Sequence, residues 1–409
     1  MSEQAEATRP LSGVRILALE QFVAGPYGSM VLADMGAEVI KIERPGEGDQ
    51  IRLKQFEAER DGQRRLVSQF TLWNRNKKSL TLDLKSARGK EIFKDLARRA
   101  DVVWENFRPG VMDALGLGYE VLRELNPRLI YASVSGFGHQ DIYPSPGSDR
   151  PAFDIIGLAL SGLAHMTSGP GREPAALGAI IGDVGTALMA AFGVTLALLH
   201  RQLTGLGQHL DVAMYDTCVM LNERAIGLCA LSGRDFTQAD DTFASPQGIF
   251  PCRDGYIAVA PQSERAWVDF CAAIGREDLL QHPELCNISL RSLHFREHID
   301  PPFAAWARDK TRSEALEILM RHGVPCAPVQ TNADVLADPQ VAARRMMIEL
   351  NDPLSGPVKV VGNAIKLAAC PETPVGPPPL LGEHSAVVLR EWLGLDDAAI
   401  EELRAAGVV

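Results

Sequence analysis

Cysteine is scarce and scattered: seven residues, Cys218, Cys229, Cys252, Cys271, Cys286, Cys326 and Cys370, contain no CxxC pair and all lie in the second half of the chain. That pattern excludes a disulfide framework and a cysteine zinc cluster. Basic residues are also in short supply, with 41 Lys and Arg against 52 Asp and Glu and a net charge of −11, which argues against a sequence-independent nucleic-acid binder. The opening MSEQAEATRP has no apolar centre for a secretory signal. The richest apolar run, residues 184–199, is shorter than the ~18–20 residues of a bilayer span and is broken by Gly185, Thr186, Gly193 and Thr195. The expectation is a soluble, cytoplasmic protein with no nucleic-acid or membrane partner. What remains is 46% hydrophobic over 409 residues, enough for two or three domains at about 150 residues each.

Residues 14–19 read as a buried strand, followed by a Gly25-Pro26 turn, a helix near 27–34 and a second strand at 38–42. This βαβ unit implies a parallel sheet. Further strands are expected at 79–84, 101–104 and 129–134, with a helix at 87–99 opened by Ser86. Residues 188–200 form an apolar helix expected to be buried on nearly all sides. A hairpin turning at Arg253-Asp254-Gly255 and helices at 263–274 and 312–321 have a different texture, and helices at 385–393 and 396–405 follow a proline-rich stretch. The predicted class is α/β. A large, open, Rossmann-like parallel-sheet domain occupies 1–222, a smaller α+β domain 223–330, and a return segment 331–409 completes the large domain.

Several residues invite chemistry. The first βα turn, Val23-Ala24-Gly25-Pro26-Tyr27-Gly28, lacks two of the three dinucleotide-fingerprint glycines, so nicotinamide binding is a weak reading even with Glu43 placed for a ribose. Lys41, Arg44, Arg52, residues 74–78 and Lys85 read as a solvated cationic surface or as a phosphate-binding edge. Asn106-Phe107-Arg108 can hydrogen-bond, stack and pair with a phosphorylated purine, or form an ordinary loop with Pro109 and Gly110. Asp183, at the mouth of the apolar helix between glycines, reads as an N-cap or as a carboxylate nucleophile. His294 and His298 have the i,i+4 spacing of helix metal ligands, but Phe295 stands where a zinc protease needs Glu, and no metal is expected. No serine sits in a GxSxG elbow, and the cysteines lack an activating signature.

In order along the chain, LSGVRILALEQFVAGP, ADMGAEVIKIERPGEGD, NKKSLTLDLKSARGK, ENFRPGVMDALGL, LNPRLIYASVSGFG, GDVGTALMAAFGV, GQHLDVAMYD, DGYIAVA, HGVPCAPV and LLGEHSAVVLREWLGLDD resemble the class III CoA-transferases. This is the family of formyl-CoA transferase, which shares its fold with alpha-methylacyl-CoA racemase. The resemblance implies that Asp183 is the nucleophile; because acyl transfer passes through an oxyanion, backbone N–H groups near 182–185 or on the small domain are expected to line its site. It implies CoA lying against Val23, Ala24, Arg44, Leu82, Lys85, Asn106, Phe107 and Arg108 of the large domain. Phe153 would stand near the thioester end, and Arg150 could orient a carboxylate or form a structural salt bridge. Acyl-CoA and a free carboxylic acid would be the substrates, with no metal or covalent cofactor, in an interlocked homodimer. Val23, Ala114, Ser135 and Phe153 stand where the formyl-CoA enzyme has Gln, Arg, Lys and Tyr, and its glycine-rich lid is missing from 239–248. Phe153 also replaces the racemase's shuttle histidine, a group worth roughly 100-fold or more. CoA transfer is therefore preferred to racemisation, and a non-catalytic CoA-binding protein is the third reading.

Overall fold

A computed structural model describes residues 9–60, 63–169, 171–237 and 247–409, so most of the 239–248 segment lies outside the described residues. Two compact units emerge. The larger takes residues up to 165, 175–227 and 343–409, and the smaller takes 166–174 and 228–342.

Six strands of the larger unit form one parallel sheet: β1 (Arg15–Leu19), β2 (Glu38–Glu43), β3 (Lys77–Thr81), β4 (Val102–Glu105), β5 (Ile130–Ser135) and β6 (His209–Ala213). Their order is β3-β2-β1-β4-β5-β6. The direction of winding reverses between β1 and β4, where open α/β sheets collect ligands at the strands' carboxyl ends. Side chains alternate across the sheet. Ile16 and Ala18 join one apolar cluster, Leu17 and Leu19 the other. The first cluster is covered by α1 (Ala24–Asp34), α3 (Asp154–Leu160), α4 (Ile181–Thr204) and α5 (Met214–Leu221). The second is covered by α2 (Ala87–Ala97), α6 (Ser385–Leu393) and α7 (Asp397–Ala405), with Phe93, Trp392 and Leu403 in the packing. Ser86 and Asp396 cap α2 and α7, accepting from Gly89 and Ala399 N–H at 2.9 Å. Gly28 lets α1 approach closely: a Cβ there would fall 2.6 Å from the Trp104 ring and 2.8 Å from the Ala187 carbonyl.

The structure departs from the sequence expectations in three places. Strand β6 and the hairpins Gln55–Arg60/Gln63–Ser68 and Met347–Asp352/Gly356–Val361 were not anticipated, because HLDVA and its counterparts carry no apolar run. Strand β3 starts at Lys77 because that lysine is buried with partners. Helix α4 has 24 residues, long and apolar enough by length and composition to cross a bilayer. It is not buried on nearly all sides: Leu188, Phe192, Leu196, Leu199 and Leu203 are exposed.

In the smaller unit an antiparallel sheet places Gly255–Val259 between Gly248–Cys252 and Cys326–Pro328. Helices Glu264–Ala273, Asp300–Arg308 and Arg312–Arg321 supply Trp267, Phe270, Phe303 and Leu319 to its core. Thr311 and Glu314 form a capping box at the third helix.

Trp392 is 1% exposed and anchors α6 to the sheet. Trp392→Ala is expected to cost about 3–5 kcal/mol, read as a lower denaturant midpoint. An unchanged midpoint would mean that α6 does not hold the sheet face.

Candidate active site

At the carboxyl ends of β1, β2 and β3 lies a cavity of about 390 Å³, lined by Gln21, Glu43, Arg44, Leu82, Lys85 and Phe107 among others. Four expected CoA residues, Arg44, Leu82, Lys85 and Phe107, meet there. Val23 and Ala24 open α1, just beyond Gln21, and are buried. Asn106 ties the same turn: its Oδ1 accepts from the Gln21 N–H at 2.8 Å and its Nδ2 donates to the Gln21 carbonyl at 2.9 Å. Gly25 makes this possible, since a Cβ would fall 2.8 Å from the Asn106 Cγ. Arg108 lines a different cavity, of about 300 Å³, with Glu105, His139 and His209. Asp183, Phe153 and Arg150 line neither. Arg150 lies 4.9 Å over the Phe137 ring and forms no ion pair among the described residues, so the structural salt bridge is not found.

Most of the cationic run is neither a solvated surface nor a phosphate edge. Lys41 and Lys77 are fully buried and pair with Asp49 at 2.9 Å and with Glu20 at 2.7 Å. Arg75 pairs with Asp34, and Lys78 with Glu38. Arg52 grips Glu43 through two 2.8 Å bonds. Burial alone would raise the Glu20 carboxyl, but Lys77 and Lys41 outweigh it and hold it below its ordinary value. Glu43 also accepts from Ser79 Oγ and the Asp49 N–H, which leaves it engaged within the protein instead of poised for a ribose. Arg44 and Lys85 remain the exposed cations at the cavity. The same buried network shapes the turn before α1. Asp49 Oδ1 accepts from the N–H of Phe22, a non-glycine residue held at φ 63°. A left-handed residue of this kind costs on the order of 1–3 kcal/mol and persists only where its surroundings enforce it. The Phe22 ring meets Phe153 edge-on at 6.0 Å.

Asp183 is not the N-cap of α4. Ile180 holds that position and offers no side-chain bond, which leaves Asp183 third in the helix. The cap comes from 28 residues earlier: Asp154 Oδ1 accepts from the Gly182 N–H at 2.7 Å and the Asp183 N–H at 3.2 Å. The Val184 N–H bonds to the Ile180 carbonyl. These donors, expected to serve an oxyanion, are therefore occupied. The Asp183 carboxylate itself is half-buried and takes no hydrogen bond from the described residues. Burial first, and the Asp154 charge second, push it from 3.8 up to about 6. Cys218, whose Sγ lies 3.2 Å from where a Gly182 Cβ would stand, is pushed by burial up to about 11 and stays a protonated packing group. Sequence reading missed Asp154, whose only local signal is an acid at the start of a short helix.

A profile for CoA-transferase family III matches residues 11–385. The chain is 37% identical over 385 residues to a succinyl-CoA:mesaconate CoA-transferase of Haloarcula hispanica, covering 93% of this chain and 96% of the relative. It is 35% identical over 408 residues to a succinyl-CoA–D-citramalate CoA-transferase of Chloroflexus aurantiacus, covering 98% of each. A solved CAIB/BAIF family protein from Brucella suis superposes with a TM-score of 0.80 at 31% identity, covering 95% of this chain and all of that one.

Because burial favours the protonated carboxyl, ionising Asp183 lowers stability as pH rises from 3.8 to about 6, the reverse of a salt-bridged acid. Isotope-edited infrared titration should place its midpoint near 6. Asp154→Asn should lower that midpoint without restoring the ordinary value, since burial is the larger cause. A wild-type midpoint near 3.8 would contradict this electrostatic account.

Proposed function

The chain belongs to CoA-transferase family III, and on that premise we propose that it moves CoA from an acyl-CoA to a free carboxylic acid through covalent intermediates on Asp183. The observation that carries this reading is the unengaged Asp183 carboxylate. With Asp154 satisfying the helix end, Asp183 is not needed as a cap, and the non-catalytic reading loses its explanation for the residue. Its raised pKa keeps it basic enough to attack an acyl carbon, yet ionised near neutral pH.

The Asp183 carboxylate adds to the donor thioester carbonyl and expels CoA thiolate, leaving an acyl–aspartyl anhydride. The thiolate then attacks the aspartyl carbonyl, forming an aspartyl–CoA thioester and releasing the donor carboxylate. The acceptor carboxylate attacks that thioester and frees the thiolate again, and the thiolate takes the acyl group from the new anhydride. One acid is exchanged for another, and Asp183 is restored. With the Gly182, Asp183 and Val184 N–H groups occupied, oxyanion stabilisation falls to groups outside the first turn of α4.

In this reading the CoA-binding domain is formed by 1–222 with the return segment 331–409, and 223–330 forms the small domain. Arg44 and Lys85 meet phosphates, and Leu82 and Phe107 meet the base beside Val23 and Ala24. Arg108 borders this region, and Asn106 acts through the turn it ties. Phe153 stands near the thioester and Arg150 takes a substrate carboxylate. The names of the relatives make succinyl-CoA and four- or five-carbon dicarboxylic acids the first substrates to test. The exposed stripe Leu188, Phe192, Leu196 and Leu199, continued by Ile155, Ile156 and Leu160, supports an intertwined homodimer in which a second copy covers α4. We assign the protein to the cytoplasm. No observation favours racemisation, because the aromatic ring of Phe153 exchanges no proton.

Asp183→Ala should abolish exchange between acyl-CoAs and acids while CoA binding by calorimetry persists. Hydroxylamine added to the working wild-type enzyme should convert Asp183 to a hydroxamate, seen by peptide mass spectrometry. Full transferase activity in the Ala variant would end the proposal.

A further inference from the structure

His294 and His298 share one face in the sequence but lack a third ligand there. The fold of the smaller unit supplies one. A short 3₁₀ turn, Pro283–Leu285, brings Glu284 Oε2 to 2.7 Å from His298 Nε2. His282, just before that turn, sets its ring 4.3 Å from the His298 ring. One donor atom from each of His282, Glu284 and His298 lies within 4.8 Å of the other two. His298 itself sits in a π-helical turn, Phe295–Ile299, a rare local geometry that gathers at functional sites. His294 stacks 5.9 Å away and, with Glu297, forms a second triad that shares His298.

We propose that His282, Glu284 and His298 form a binding site for a divalent first-row transition ion of the zinc class. The donor set selects the ion: two imidazoles and one carboxylate suit Zn²⁺ and its neighbours, whereas Mg²⁺ and Ca²⁺ require oxygen ligands. Tetrahedral coordination at ~2.0–2.2 Å brings donors roughly 3.3 Å apart. The side chains must therefore draw together from the present spacing, and the exposed Glu284 can move. On binding, the proton leaves His298 Nε2 and the ring carries its one proton on Nδ1 instead, exchanged through solvent, so that the Nε2 lone pair of the neutral imidazole and the carboxylate oxygen each bond to the ion. His282 releases a 3.3 Å contact with the Glu284 N–H if it binds through Nδ1. The fourth position goes to water or to His294. None of these residues takes part in the proposed acyl transfer. The ion would instead staple the 3₁₀ turn to the π turn.

The full-length chain, stripped with chelator, can be titrated with Zn²⁺ in competition with a chromogenic chelator. Wild type should bind one equivalent saturably. His298→Gln keeps an N–H for Glu284 but removes the imidazole, and it should weaken binding by roughly tenfold or more. His282→Gln should do the same, while His322→Gln, outside the cluster, should leave affinity unchanged. Co²⁺ added to the wild-type chain should give the visible absorption of a four- or five-coordinate nitrogen–oxygen site, a readout that requires no variant. Absence of saturable Zn²⁺ binding would overturn the site, as would unaltered affinity in the His282→Gln/His298→Gln double variant.

Discussion

The first backbone N–H groups of an α-helix find no acceptor inside the helix. At the start of α4 that demand is met from outside the helix, by Asp154. Much follows from the choice of acceptor. A carboxylate accepting two N–H bonds at a helix N-terminus is in a favourable field, so Asp154 can stay beside a second acid. The second acid, Asp183, then carries the imbalance, half-buried and without partners among the described residues. The arrangement also fixes α3 against α4, and with it Phe153, the residue just before the capping acid.

A second framework reaches the same place from the sheet. Lys41, Lys77, Glu20 and Asp49 are buried together, an arrangement that rarely adds net stability but is strongly penalised when one member is missing. Its structural effect is positional. Asp49 holds Phe22 in its left-handed turn, and that turn delivers the chain into α1. Through Gly28, α1 lies against Trp104 and the backbone of α4 at Ala187, one turn beyond Asp183. The Phe22–Phe153 edge contact closes the circuit between the strand-end turn and the capping loop. The position of the Asp183 carboxylate therefore rests on ordinary packing plus two sets of charges.

The elements legible in the sequence are those specified locally. The βαβ period, the cap at Ser86 and the terminal helices all follow from neighbours within a few positions. Asp183 was legible as a candidate because glycines flank it and an apolar run follows. Its status was not legible, because the cap that frees it lies 28 residues away. The lysines at 41 and 77 read as surface charges for a related reason: Asp49 lies beyond the end of β2, eight residues past Lys41, and Glu20 lies 57 residues before Lys77, so neither pairing shows in the local pattern. Strand β6 escaped notice because its residues are only partly buried and alternate poorly. The spacing of the histidine pair at 294 and 298 says nothing of Glu284, which reaches His298 from a separate 3₁₀ turn.

The covering of the sheet by residues 385–409 has a consequence for biosynthesis. The Asp83 N–H bonds to the Val408 carbonyl, and the Thr81 N–H to Ser385 Oγ, so the late helices are stitched directly onto early strands. Translation at about 5–20 residues per second separates the emergence of those strands from that of their cover by on the order of tens of seconds. Throughout that interval the nascent chain displays Leu17, Ile40 and Leu80 on a surface that α2 roofs only in part, while the inserted unit has time to fold on its own. The part of the chain made first is therefore among the last to become watertight.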